Sequence, residues 1–186
     1  MRKNTFFTVS ILITVFCSTG FRQAPSIYQA LHGTVTFRSE APLELIKASS
    51  NELVCLIDND KKTFAFKINI RSFNGFNSPL QKEHFNQNYL ESEKYPEASF
   101  KGKIIEDEDL GADGVYEVRA KGQLTIHGIT QERIIKSTVT VNNRKIILKS
   151  NFTILLSNYN ILIPRVVYQK LADEIKIEVN AILETR

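Results

Sequence analysis

Residues 62–71 read Lys62-Thr63-Phe64-Ala65-Phe66-Lys67-Ile68-Asn69-Ile70-Arg71. Phe64, Phe66, Ile68 and Ile70 share one face, while Thr63, Lys67, Asn69 and Arg71 share the other. That is the two-residue period of a strand, not the period of about 3.6 residues of a helix. One face is apolar and one is wet, the pattern of a half-buried antiparallel strand. The alternation returns at 115–126, where Tyr116, Val118, Ala120, Leu124 and Ile126 oppose Glu117, Arg119, Lys121 and Thr125. It returns again at 174–183, with Ile175, Ile177 and Val179 against Glu174, Lys176 and Glu178. Less regular candidate strands occupy 33–39, 43–47, 51–58, 98–106, 133–142 and 145–156. Turn chemistry separates them at Asp58-Asn59-Asp60, Ala112-Asp113-Gly114 and Asn142-Asn143. The chain therefore reads as all-β, with eight or nine strands.

One interval breaks the pattern. Ser78 is placed to cap a short helix that opens on Pro79 and runs through Leu80-Gln81-Lys82-Glu83-His84-Phe85-Asn86. A second helical turn over Val166–Leu171 is a weaker reading, because β-branched residues fill it. So many antiparallel strands must form a sandwich or close into a barrel, since open edges invite aggregation. Periodicity leaves both open.

The 186 residues fit one domain, and 24 Lys plus Arg against 20 Asp plus Glu, with no low-complexity run, exclude a disordered tail as the main state. Arg2 and Lys3, the apolar run Phe6–Phe16 and the small residues Ser18-Thr19-Gly20 read as an export signal with cleavage expected after Gly20. The apolar run is too short for a span of about 20 residues, so the mature chain is expected not to cross a membrane, and to be periplasmic or secreted. Phe16 before Cys17 argues against lipid attachment there, since that chemistry needs a small residue. Residues 1–20 hold no acids and two bases, so their loss leaves 22 basic residues, scattered, against 20 acidic ones. No basic stripe remains to neutralise a run of phosphates, and nucleic acid is excluded as a partner. Only Cys55 survives in the mature chain, so no internal disulfide can form, and Glu52-Leu53-Val54-Cys55-Leu56-Ile57 reads as a strand burying an inert thiol.

Three features carry a resemblance: Glu91-Ser92-Glu93-Lys94-Tyr95-Pro96-Glu97-Ala98-Ser99-Phe100, then Gly122-Gln123-Leu124-Thr125-Ile126-His127-Gly128-Ile129-Thr130, and the strand pattern that follows. In order and spacing they resemble the YceI-like family of exported bacterial lipid-binding proteins, over roughly Gly33 to Glu184. The resemblance implies an eight-stranded antiparallel, lipocalin-like barrel with a short helical excursion, over residues 25–186. Its apolar interior would hold one long isoprenoid or acyl chain. The chain departs from the family in having Lys82-Glu83 before the helical His84, where members often carry Arg-Asp. Under this reading the ligand-binding candidates are Phe64, Phe66, Ile68, Ile70, Phe100, Tyr116, Val118, Leu124, Ile126 and Phe152, with His84 facing a polar head. Without it, the aromatics Phe64, Phe66, Phe100, Tyr116 and Phe152 read as a packed core rather than a cavity wall, and His84 as a structural hydrogen-bonding group.

Enzyme chemistry finds little support. His32, His84 and His127 lack metal-ligand spacing, and neither a G-x-S-x-G nucleophile turn nor a phosphate-cradling Gly-rich loop occurs. His127 sits in the turn Ile126-His127-Gly128-Ile129 and is expected to cap its hairpin. Glu106-Asp107-Glu108-Asp109 lacks the register of a Ca²⁺ loop and reads as a solvated connection. Asn151-Phe152-Thr153 matches a glycosylation sequon but falls in a strand. The expectation is therefore an exported, non-enzymatic carrier or sequestering barrel without metal or cofactor. Its partner would be an isoprenoid or other long-chain lipid, with a homodimer as one candidate assembly. The alternative is a ligand-free barrel that binds another protein.

Overall fold

The computed structural model describes residues 27–186; the expected leader, its expected cleavage point and Cys17 lie outside the described residues. Eight strands follow one another as β1 (Ile27–Glu40), β2 (Leu45–Asp58), β3 (Thr63–Asn69), β4 (Glu97–Ile104), β5 (Gly114–Ile126), β6 (Ile129–Asn142), β7 (Lys145–Leu155) and β8 (Glu174–Thr185). Each pairs antiparallel with the next, and β8 returns to β1 from Tyr28↔Thr185 to Ser39↔Ile175, so the sheet is a closed barrel. The choice that periodicity left open is settled by this seam. Closure removes both free edges, and with them the unpaired backbone groups that would recruit another chain.

The regular strands behave as their patterns dictate. On β3, β4, β5 and β7 the even-numbered side chains point inward, and on β6 and β8 the odd-numbered ones do. The outer face carries cross-strand ion pairs such as Lys67–Glu97, Lys121–Glu132 and Lys145–Glu184. They are solvent-exposed and keep the surface wet rather than adding much stability. Among the described residues, no helix is long and apolar enough to cross a membrane.

The number of strands needs one correction. Residues 43–47 and 51–58 are not two strands, because β2 runs unbroken from Leu45 to Asp58. Paired bulges disguise it: the register passes from Ala30↔Cys55 to Gly33↔Leu53 to Val35↔Ser50, with one extra residue first on β1 and then on β2. Inward positions therefore switch from Tyr28 and Ala30 to Gly33, Val35 and Phe37, and from Ile46, Ala48 and Ser50 to Leu53, Cys55 and Ile57. Ser50 Oγ accepts from the Glu52 N–H at 3.1 Å and pins the second bulge. A bulge of this kind increases bend and twist where a sheet must curl. Cys55 is buried as expected, and burial pushes its thiol up to about 12, far from thiolate reactivity.

β4 and β5 approach most closely where Gly102 pairs with Gly122. A Cβ on Gly102 would stand 2.1 Å from the Lys121 carbonyl oxygen, so this contact excludes any side chain.

The two ends of the barrel differ. At the end where β1 begins and β8 finishes, Tyr28, Leu110, Val141, Ile146 and Leu183 are fully or almost fully buried, and the Tyr28 hydroxyl donates to the Leu110 carbonyl at 3.0 Å. In the acidic run Asp107, Glu108 and Asp109 are exposed, as the solvated reading expects, and two of its carboxylates also tie the connection down. The Glu106 carboxylate accepts from the Arg119 backbone N–H and Nε, both at 2.6 Å. Burial pushes the Glu106 carboxyl up, but these two donors outweigh it and hold it below its ordinary range. Asp109 accepts from the Gly111 N–H and from Asn59 Nδ2, each at 2.8 Å, and these donors hold its carboxyl low. Asn59 Oδ1 in turn accepts the Leu110 N–H at 3.0 Å. The run thus seats Leu110 as a plug.

The other end carries the long connections. The expected helix is α1 (Pro79–His84), capped by Ser78, whose Oγ accepts from the Gln81 N–H at 3.1 Å. It passes into a wider π-type turn over Phe85–Tyr89 before β4. The weaker helical reading at Val166–Leu171 corresponds to a 3-10 turn at Arg165–Val167 in the β7–β8 connection.

Candidate functional site

The inward faces leave a cavity of about 230 Å³ running up the barrel. Leu53, Ile57, Phe64, Val118, Val139 and Leu148 form its deep part, next to the plug. Phe66, Phe100, Leu124, Ile135 and Phe152 surround its middle, and Phe64 packs on Phe100 with ring centroids 4.8 Å apart. Near the mouth the wall passes to Phe37, Phe73, Phe85, Tyr89, Ile161 and Leu171.

Polar side chains in this wall are few: Lys67, Tyr89, Ser99, Ser137 and Ser150. The Ser150 hydroxyl donates to the Lys136 carbonyl at 2.9 Å, and Lys67, which borders the cavity, has its ammonium paired with Glu97 at 2.7 Å. A surface with so little hydrogen-bonding demand suits hydrocarbon.

Of the residues singled out in the sequence, Phe64, Phe66, Ile68, Ile70, Phe100, Val118, Leu124, Ile126 and Phe152 all line the cavity. Tyr116 and His84 do not. Tyr116 lies toward the plugged end, where its hydroxyl donates to the Ala112 carbonyl at 3.0 Å. His84 is the last residue of α1 and is exposed; the next residue, Phe85, is the one that turns into the wall.

Sequence reasoning passed over an aromatic cluster at the mouth. Phe85 stacks on Phe37 at 5.3 Å with rings 11° from parallel, and Phe73 and Phe76 close around the pair at centroid distances of 5.1 to 5.9 Å. Such pairs add about 0.5–1.5 kcal/mol each beyond their burial. The signal was available in Ser72-Phe73-Asn74-Gly75-Phe76-Asn77, two large aromatics within a turn-rich stretch that a plain surface loop would not contain.

The shape of the mouth depends on His127, though not as a cap of its own hairpin. That expectation is corrected by the contacts of the ring. His127 and Gly128 have φ values of 50° and 72°, forming a tight two-residue turn between β5 and β6. Nδ1 donates to the Tyr159 carbonyl at 3.0 Å, since a carbonyl oxygen only accepts, while Nε2 lies 2.8 Å from Glu91 Oε2. Tyr95 packs edge-on against the imidazole at 4.8 Å. A Cβ on Gly128 would meet the Tyr95 ring at 2.4 Å, so Gly128 answers both the backbone and the packing. The imidazole therefore joins three connections at the mouth: the β3–β4 segment, the β5–β6 turn and the start of the β7–β8 segment.

Comparison with known proteins agrees with this architecture. The YceI-like domain model matches residues 26–183. Among solved structures, the chain is similar to a polyisoprenoid-binding domain from Saccharophagus degradans implicated in plant cell wall breakdown. The TM-score is 0.72 at 12% identity, covering 87% of this chain and 99% of that one. It is similar also to Burkholderia cenocepacia BcnA, with a TM-score of 0.68, 18% identity and coverage of 82% and 96%. The Campylobacter jejuni YceI protein aligns over 100% of both chains with a TM-score of 0.55 and 16% identity. At these identities the likeness is one of fold. No curated protein matches the chain in sequence.

Proposed function

The chain belongs to the YceI-like family, and from that premise we propose that it is an exported, non-enzymatic barrel that carries or sequesters one long apolar chain, a polyisoprenoid or fatty-acyl lipid. The single observation that carries the reading is the continuous apolar cavity, closed at one end by Tyr28 and Leu110 and bounded at the other by loops. A filled core of this size would leave few voids larger than a water molecule, so a long, almost wholly apolar cavity argues for an occupant. The polyisoprenoid-binding description of the Saccharophagus relative supports the same class of cargo. The leader residues Met1–Gly20 support export, with the mature chain beginning at Phe21 in the periplasm or outside the cell.

The affinity in this account comes from burial. Each CH₂ taken out of water contributes about 0.8 kcal/mol, close to fourfold in affinity per carbon until the cavity is full. Titration with a graded series of acyl or isoprenyl chains should give progressively tighter binding that then levels off, and salt should change it little. Binding independent of chain length but strongly weakened by salt would instead favour a charged surface site or a protein partner.

A further inference from the structure

One seam of the barrel wall is only half paired. β6 and β7 are matched from Asn142↔Lys145 up to Ser137↔Ser150, and there the register stops. Toward the mouth, β6 continues from Lys136 to Ile129 paired with β5 alone, and β7 continues from Asn151 to Leu155 paired with β8 alone. Edges left this way carry backbone groups that need partners. Side chains meet part of that need. The Ser150 hydroxyl donates to the Lys136 carbonyl at 2.9 Å, at the point where the strands part. Above it the Arg133 guanidinium donates to the Thr153 carbonyl at 2.8 Å, and the Gln131 side-chain amide donates to the Asn158 carbonyl at 3.0 Å. The His127 bond to the Tyr159 carbonyl ends the series at the mouth. Between the strands sits the 3-10 turn Leu156–Tyr159, which buries Leu156 and Tyr159.

Where β2 outruns β3, the wall is closed by backbone instead. β3 ends at Asn69, and the chain returns so that Ser49 and Asn74 exchange both backbone bonds, at 2.8 and 2.9 Å. Parting that contact moves a whole segment; parting the upper β6–β7 seam needs rotation of a few side chains and displacement of one turn. The wedge is also poorly satisfied. Tyr159 is fully buried, and its hydroxyl has no hydrogen-bond partner among the described residues. An unpaired buried hydroxyl disfavours the closed arrangement, and opening returns it to water. Directly behind the wedge lies the cavity, lined by Ile135 on β6, Phe152 and Ile154 on β7, and Leu156 and Ile161 in the connection.

We propose that the upper β6–β7 seam is the entry site for the apolar chain, which slides in sideways as the turn Leu156–Tyr159 swings out. The paired half of the ladder, below Ser137↔Ser150, stays closed and acts as the hinge. Opening of this kind is local and leaves the rest of the barrel folded. The proposal rests on the lipid-carrier reading, and the test separates the two.

Two changes act on the seam in opposite directions. R133M keeps the stem of the side chain and removes the donor to Thr153. In I134C/L155C, exposed positions on the two sides of the gap are joined by a dithio-bismaleimide linker that reduction cleaves, while the buried Cys55 stays unmodified. Delipidated protein is mixed in stopped flow with cis-parinaric acid as the acyl probe and dansyl-labelled farnesol as the isoprenoid probe. The rise in fluorescence follows entry, and a chase with excess unlabelled chain follows release. R133M should speed entry and release alike by about tenfold, the usual effect of losing one charged hydrogen bond, and leave Kd within about twofold of wild type. The linker should slow both by about tenfold or more, since the strands no longer separate, with the final fluorescence unchanged. Reduction should restore the rates. The linker leaves Arg133 in place, so the test stands even where R133M folds poorly. Linked protein that loads as fast as the reduced form would overturn the proposal, because the chain would then pass by the mouth. Uptake at rates that neither change alters would remove the entry site and leave the carrier reading standing. Wild-type protein that takes up neither probe at equilibrium would remove the carrier reading, and the entry site with it.

Discussion

At Phe66 the distinction between a packed core and a cavity becomes measurable. The side chain is half-buried and lines the cavity, with Phe64 tilted against it at 5.6 Å. Phe66→Trp should occupy space that the ligand needs, lowering lipid uptake while leaving the melting temperature close to wild type. In a filled core the same substitution would destabilise by about 1–3 kcal/mol through overpacking, with no change in loading. Parallel ligand titration and thermal unfolding decide between these outcomes. The aromatic and aliphatic positions of β3 were legible because strict alternation fixes which side chains share a face. His84 shows the limit of that reasoning. A helix of six residues places its last side chain by where the chain goes next, and the π-type turn after it delivers Phe85, not His84, to the wall.

Among elements, the straight strands were readable and the bent ones were not. β3, β5 and β8 keep one phase throughout, so their inward residues could be named in advance. β1 and β2 each change phase at a bulge, which divided β2 into two apparent strands and hid residues 27–32 of β1. Curvature is also set where β4 meets β5, and the glycine pair there gives a sharp prediction. Gly102→Ala would drive a methyl group into the Lys121 carbonyl, forcing the two backbones apart. Denaturant unfolding should record a loss of about 1–3 kcal/mol or more. An unchanged midpoint would mean that the close approach does not bear on the closure of the barrel. Gly122 faces Gly102 across the same pair, and the motif beginning Gly122-Gln123-Leu124 owes its first residue to this contact.

On the scale of the molecule, the barrel combines a plugged end, an apolar interior and a mouth framed by long connections. Nothing in strand periodicity distinguishes a sandwich from a barrel, because the decisive fact is the β1–β8 seam, a pairing of the chain's first strand with its last. The family motifs pointed to closure where physics alone did not. Those same motifs lie at the mouth: His127 and Gly128 form a turn there, and Tyr95 packs against both. The aromatic cluster and the partners of the acidic run were not legible because each lies in a connection, where periodicity carries no information and only the fold brings partners together. The central claim is that the cavity exists to be filled by a long apolar molecule. Native mass spectrometry of protein purified from cells without detergent, followed by lipid extraction of the same sample, tests it most directly. The account predicts one lipid bound per barrel, released on unfolding and identified in the extract as a long isoprenoid or acyl chain. A single mass equal to that of the bare polypeptide, with no lipid in the extract, would contradict it.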